Sequence, residues 1–259
     1  MKNHDTRNWI LRSLADDQRE RILAAAELVE LPKKRLLYDI NQPIHDVYFI
    51  ETGVSSILSL LLDGTAVETS TCGREGMVGL PLFLGAQTAS TQAMQQIPGS
   101  GWRLPRAVFL EELQRDGGKL RELLGRLTLA TMTLVAQNSA CNRRHSVEER
   151  CVRWLLTSHD QMDRQPFELT HQFLSQMLGV RRATVTVTAG ALQQAGLVNY
   201  HRGLITITNR EGLEDIVCEC YKIIHNEYAR QLGVQELIDD PIAKMDPSDG
   251  KFSTVADGA

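Results

Sequence analysis

Fixed positive charge is distributed unevenly along this chain. Between Leu169 and Arg210 there is no Asp or Glu, yet Arg181, Arg182, Arg202 and Arg210 all fall there, in a 259-residue chain of formal net charge −4. Guanidinium groups in an acid-free window do no acid–base work; they suit a surface that meets phosphate oxygens.

The elements that must position these arginines follow from apolar spacing. Phe173, Leu174, Met177 and Leu178 give one helical stripe, and Val185, Ala189 and Leu192 give a second, with Gly179 as the turn between them. Thr170 is a candidate N-cap and Gly196 falls where a helix end needs positive φ. Two β-prone runs follow, residues 197–200 and 204–208, joined by His201-Arg202-Gly203. Helix, turn, helix and hairpin is the layout of a winged helix-turn-helix. With Val185, Ala189 and Leu192 inward, Ala183, Val187, Gly190 and Gln194 lie on the opposite face. A row that small and apolar suits a DNA groove, where it permits close approach and contact with thymine methyls. The same pattern also fits a three-helix packing unit with no ligand. On the DNA reading, the expected contacts are Thr170, His171, Arg181, Arg182, Ala183, Thr184, Thr186, Val187 and Arg202.

The run LTHQFLSQMLGVRRATVTVTAGALQQAGLV, followed by RGLITITNREGLE, resembles the C-terminal DNA-binding domain of the cyclic-AMP receptor protein and fumarate-nitrate regulator (CRP/FNR) superfamily of bacterial transcription regulators. More loosely, VYFIETGVSSIL, the Asp63-Gly64 hairpin and GREGMVGLPLFLG resemble that superfamily's β-roll sensor. The resemblance implies a homodimer on palindromic double-stranded DNA, with RNA polymerase as a further partner and an unknown small-molecule effector. Arg182 matches a family position that contacts guanine, whereas a neighbouring family Glu and a later Arg correspond to Ala183 and Val187. Relatives that sense cyclic nucleotides use a Glu for the ribose and an Arg-Ser pair for the phosphate. Here those positions fall near Leu80 and within Gln87-Thr88-Ala89-Ser90-Thr91, which has no arginine. The chain therefore resembles a subgroup without the phosphate cassette, and cyclic AMP is not the expected effector.

Other chemistry is sparse. Cys72, Cys141, Cys151, Cys218 and Cys220 are odd in number and form no C-x₂-C pair. Placed on one helix, Cys218 and Cys220 would lie about 200° apart, which does not suit a shared metal; no metal and no cofactor is expected. Some CRP/FNR relatives hold an iron–sulfur cluster on N-terminal cysteines, but no cysteine precedes Cys72. His145, His159 and His171 come without a nucleophile elbow, P-loop or H-E-x-x-H signature, so no catalytic residue is assigned. The composition is 42% hydrophobic and 23% charged, typical of globular protein. The first twenty residues lack an apolar signal-peptide core, and no apolar run is long enough to span a bilayer, so a cytoplasmic, membrane-free protein is expected.

An α+β fold in four parts is expected: an antiparallel β-roll (jelly-roll) sensor over residues 9–114, a central dimerisation helix over 115–142, a winged helix-turn-helix domain over 143–234, and a disordered tail over 235–259. Residues 9–30 read as helical, closed by Pro32. From residue 35 to 104 short β-prone runs are broken at Thr52-Gly53, Asp63-Gly64, Cys72-Gly73 and Pro98-Gly99. Pro105 opens a short helix. In the central helix Leu120, Leu124, Leu127 and Leu134 form an apolar stripe, read as the dimer seam, with Asn138 continuing it; a buried core helix would have the same pattern. Residues 142–145 are the expected hinge, since Ser146 and Glu149 make a capping box. Residues 213–232 read as one helix. A second function remains compatible with this organisation, a sensor module that regulates a protein partner without binding DNA.

Overall fold

The computed structural model describes residues 6–115, 118–162 and 166–234; the predicted disordered tail lies outside them. Two short helices, α1 (Trp9–Arg12) and α2 (Asp16–Ala25), lead into the sensor sheet. Asn8 starts α1 by accepting from the amides of Ile10 and Leu11, and its own amide group donates to the carbonyls of Ile50 and Gly76. The single helix predicted for residues 9–30 is thus corrected: residues 27–31 are strand β1 (Glu27–Leu31), which pairs with β6 (Gln92–Pro105).

The six-stranded antiparallel sheet runs in the order β1, β6, β3 (Asp46–Leu60) and β4 (Ala66–Cys72), with β2 (Leu36–Tyr38) on β6 and β5 (Met77–Val78) on β3. Strands β3 (Asp46–Leu60) and β6 (Gln92–Pro105) are far longer than the sequence suggested. The two expected turns at Thr52-Gly53 and Pro98-Gly99 face each other inside this pair as a shared bulge. Gly53 has φ +84°, and a Cβ on Gly99 would stand 2.0 Å from the Thr52 carbonyl oxygen. Paired glycines therefore bend two continuous strands where the sequence reading ended them. Asp63-Gly64 does turn the chain into β4 (Ala66–Cys72), with Gly64 at φ +81°.

After α3 (Leu80–Phe83) and β6, helix α4 (Arg106–Gln114) has Pro105 as its N-cap residue. Helix α5 (Lys119–Arg144) is the long central helix. Its Leu120, Leu124, Leu127 and Leu134 are buried within the protomer's own sensor core, so they cannot be a dimer seam. Asn138 leaves that seam too, donating to the Thr69 carbonyl. The sequence pattern revealed an apolar face but not which surface would cover it. The side of α5 left open carries Leu129, Met132 and Val135, 49%, 65% and 40% exposed.

The capping box at Ser146 and Glu149 is present and starts α6 (Val147–Asp160). α5 itself runs on to Arg144, so the predicted hinge contracts to His145. Beyond the reader elements, α9 (Arg210–Ile216) and α10 (Cys220–Leu232) replace the one helix predicted for residues 213–232. Tyr228, Ala229 and Leu232 of α10 lie in the sensor core, beside α5. The 143–234 segment therefore returns its last helix to the first domain.

The two units meet at several points. The Gly53 amide donates to the Gln161 carbonyl (3.0 Å), the Arg74 amide to Gln161 Oε1 (2.8 Å), and Lys33 pairs with Glu168 (2.7 Å). Trp154 Nε1 donates to Glu68 Oε1 at 3.2 Å, and Ser56 donates to the other oxygen of that carboxylate.

Candidate nucleic-acid interface

The reader is built on a second apolar core, in which Val185 and Leu192 meet Leu174, Leu178, Trp154, Leu155 and the wing residues Val198, Ile205 and Ile207. Helix α7 (His171–Leu178) is capped by Thr170, whose hydroxyl accepts from the Phe173 amide. It ends at Gly179 in the left-handed conformation (φ +62°), which a Cβ would strain. Helix α8 (Arg182–Gln194) follows, with Arg181 at its N-cap position.

Strands β8 (Val198–His201) and β9 (Leu204–Ile207) form the wing, turning through Arg202 (φ +49°) and Gly203 (φ +81°). Two successive positive φ angles mark the turn type whose twist matches a hairpin. The sequence did not suggest β7 (Phe167–Glu168), which adds a third strand to β9. Its two residues are too few to carry a periodic signal.

Arg181, Arg182, Ala183, Thr184, Thr186, Val187, Gly190 and Gln194 are exposed on α8, and Arg202 is exposed at the wing tip. Val187 is 74% exposed. Thr170 and His171 are half-buried at the start of α7. The structure thus brings every predicted contact residue to one region. Arg210 is the exception among the arginines of the acid-free window: its guanidinium bonds Asp160 (2.8 Å), Glu214 (2.7 Å) and the Tyr221 hydroxyl (2.9 Å). Its charge is engaged inside the protein.

A small network that the sequence did not disclose ties the reader together. His171 Nδ1 lies 3.0 Å from Thr186 Oγ1, and its ring stacks on Tyr200 at 4.5 Å between centroids. The Tyr200 hydroxyl donates to the Leu169 carbonyl, and the Tyr200 amide donates to Gln193 Oε1 at 2.8 Å. Helix α7, helix α8 and the wing are thereby held in one relative position. Burial, and secondarily the nearby Arg182 cation, lower the His171 pKa and keep the ring neutral. Tyr200 sits in a short strand with an ordinary apolar alternation, so only the three-dimensional fold reveals its partner.

In the sensor half a cavity of about 180 Å³ is lined by Tyr38, Cys72, Glu75, Leu80, Leu127 and Tyr228 among others. None of its lining residues is Arg or Lys.

The cysteines depart from the expectation drawn from helical geometry. Cys218 precedes α10 instead of sharing a helix with Cys220, so the turn between them folds both thiols to one side.

Residues 149–216, from α6 to α9, match the family described as the Crp-like helix-turn-helix domain. No protein of curated function matches the chain in sequence. Among solved structures, FixK2 from Bradyrhizobium japonicum is 19% identical with a TM-score of 0.62, covering 74% of this chain and 98% of its own. CLP from Xanthomonas campestris, described as a c-di-GMP responsive global regulator, is 17% identical with a TM-score of 0.58, covering 74% and 99%. A CRP-family transcriptional regulator from Thermus thermophilus is 18% identical with a TM-score of 0.59, covering 72% and 95%. Over most of its length the chain thus shares the fold of these solved regulators, and its residues 149–216 are similar in sequence to the Crp-like helix-turn-helix domain. Among the described residues no helix is long and apolar enough to cross a membrane.

Proposed function

We propose that the protein acts as a homodimer in the bacterial cytoplasm, reading a palindromic operator through α8 and its wing and communicating with RNA polymerase. The supporting observation is the exposed, acid-free face of α8, with Arg181 and Arg182 at its start and Arg202 across on the wing. Such a face offers Arg181 and Arg202 for phosphates, and Arg182, Ala183 and Val187 for base edges. A two-fold pair would read half-sites whose centres lie roughly 34 Å apart, one helical turn. The dimer forms along the open side of α5, through Leu129, Met132 and Val135.

The sensor takes an uncharged ligand, a protein contact or no ligand at all. The sensor cavity has no cation to meet a cyclic phosphate, and its one charged lining residue is Glu75. A buried anion without a partner costs several kcal/mol.

Fluorescence anisotropy on operators recovered by genome-wide pull-down tests the reading. Arg182→Ala should cost about 1–3 kcal/mol and relax preference at one position per half-site, while Arg202→Ala should weaken matched and mismatched sequences alike. Equal effects of both substitutions on all sequences overturn this division. Failure of the native protein to prefer any DNA instead favours a sensor that regulates a protein partner.

A further inference from the structure

Cys141 and His145 lie at the C-terminal end of α5, and Cys218 and Cys220 at the turn that begins α10. One ligand atom from each falls within 4.8 Å of all the others. We propose that these four side chains form a closed Cys₃His site for a zinc-class metal ion.

The spacing is what a single ion requires. Around zinc, with sulfur at about 2.3 Å and nitrogen at about 2.0–2.1 Å, tetrahedral geometry sets sulfurs roughly 3.8 Å apart and sulfur roughly 3.5 Å from nitrogen. Cys141 Sγ and Cys218 Sγ are 3.7 Å apart, and Cys220 Sγ is 3.5 Å from His145 Nδ1. An iron–sulfur cluster divides its protein ligands among two or four irons and would need the four ligand atoms spread more widely than one ion does.

Three features around the ligands point the same way. The thiols do not serve as filling for either apolar core; they form a separate buried cluster of their own. The other nitrogen of the imidazole, Nε2, lies 3.2 Å from a carboxylate oxygen of Glu219, the arrangement that orients a metal-bound histidine and raises its basicity. Gln137 Nε2 donates to Cys220 Sγ at 3.1 Å, as a thiolate ligand would accept. Three thiols release their protons to solvent on binding, leaving the dication and three thiolates with one net negative charge. The Arg153 guanidinium, which acts electrostatically on Cys141 and Cys218, offsets it.

The placement gives the ion a mechanical role. Its ligands flank residues 146–217, which enclose the whole matched helix-turn-helix domain. An ion bound there clamps the point where the DNA-binding unit leaves α5 to the point where it returns at α10.

The test uses full-length protein expressed with zinc and purified under reducing, oxygen-free conditions. Elemental analysis should find about one zinc per protomer, retained through gel filtration. Cobalt added to the metal-free protein should produce the intense visible bands of a tetrahedral ion and a thiolate-to-cobalt charge-transfer band. Cys218→Ser should abolish stoichiometric retention, and Glu219→Gln should weaken cobalt binding by about 10–100-fold while leaving the spectrum tetrahedral. Circular dichroism separates ligand loss from unfolding, and the native protein's own metal content stands whatever the variants do. Substoichiometric zinc with no tetrahedral cobalt spectrum overturns the proposal. So does a Cys141–Cys218 disulfide in protein that binds no metal, or the absorption of an iron–sulfur cluster. None of these readouts involves DNA, so their failure is distinct from failure of the operator reading.

Discussion

Truncating the open side of α5 should split the proposed dimer without unfolding its protomers. Fully burying a Leu or Met side chain is worth about 1.5–3 kcal/mol. At 49% and 65% exposure, covering Leu129 and Met132 therefore gains about 2–3 kcal/mol per protomer, and roughly twice that across a two-fold seam. Each 1.4 kcal/mol is a factor of ten in affinity. Since alanine keeps one carbon of each side chain, the double variant Leu129→Ala/Met132→Ala should raise the dimer dissociation constant by about three orders of magnitude. Sedimentation over a dilution series reads this directly, with circular dichroism to establish that the monomer is folded. Leu124→Ala is the matched control. Leu124 is buried against the sensor core, so this change should cost about 2–5 kcal/mol of stability through a cavity and leave association of the folded protein unaltered. The reasoning fails if the double variant dissociates like the native protein, or if Leu124→Ala yields folded monomers.

Calorimetry with cyclic AMP and cyclic GMP should detect no micromolar binding, because the sensor cavity presents Glu75 and no cation to a phosphate; micromolar binding that also shifts operator affinity would contradict this. Glu68 gives a pH dependence. Desolvation raises its pKa from 4.5 to about 7, against the opposing hydrogen bonds from Ser56 and Trp154 and the Arg153 charge. A carboxyl raised in the docked state contributes stability that is complete below its ordinary pKa and is lost as pH rises through about 7. Hydrogen exchange in β4 should therefore quicken between about pH 4.5 and pH 7 beyond the intrinsic chemical increase and show no further excess above that, and Glu68→Gln should remove that excess; an unchanged profile in the variant would rule out Glu68 as its source.

The sequence revealed the reader well because its determinants are local. Thr170, Gly179 and Gly196 act within one turn of where they sit, and the apolar stripes of α7 and α8 face a core made mostly by their neighbours in sequence. The sensor was legible as β-rich but wrongly punctuated. Gly53 and Gly99 read as chain reversals when each is taken alone, and only their pairing across β3 and β6 makes them a bulge. The α5 error has a related cause. Leu120, Leu124, Leu127 and Leu134 carry the strongest stripe because the protomer's own core is the more demanding partner, and the row of Leu129, Met132 and Val135 leaves a weaker signal beside it. Cys141 and Cys218 stand 77 residues apart, a distance across which spacing rules carry no information.

The return of α10 to the sensor core has a consequence for the order of synthesis. When α5 has left the ribosome at Arg144, the surface that Tyr228, Ala229 and Leu232 will cover is still bare, and a further 88 residues (144 to 232) must be made. At about 5–20 residues per second this interval is roughly 4–18 s. The DNA-binding unit, complete once α9 emerges, is free to fold within that time. The domain that begins the chain is thus the last to close, and until then its apolar flank is open to chaperones or to a neighbouring nascent chain.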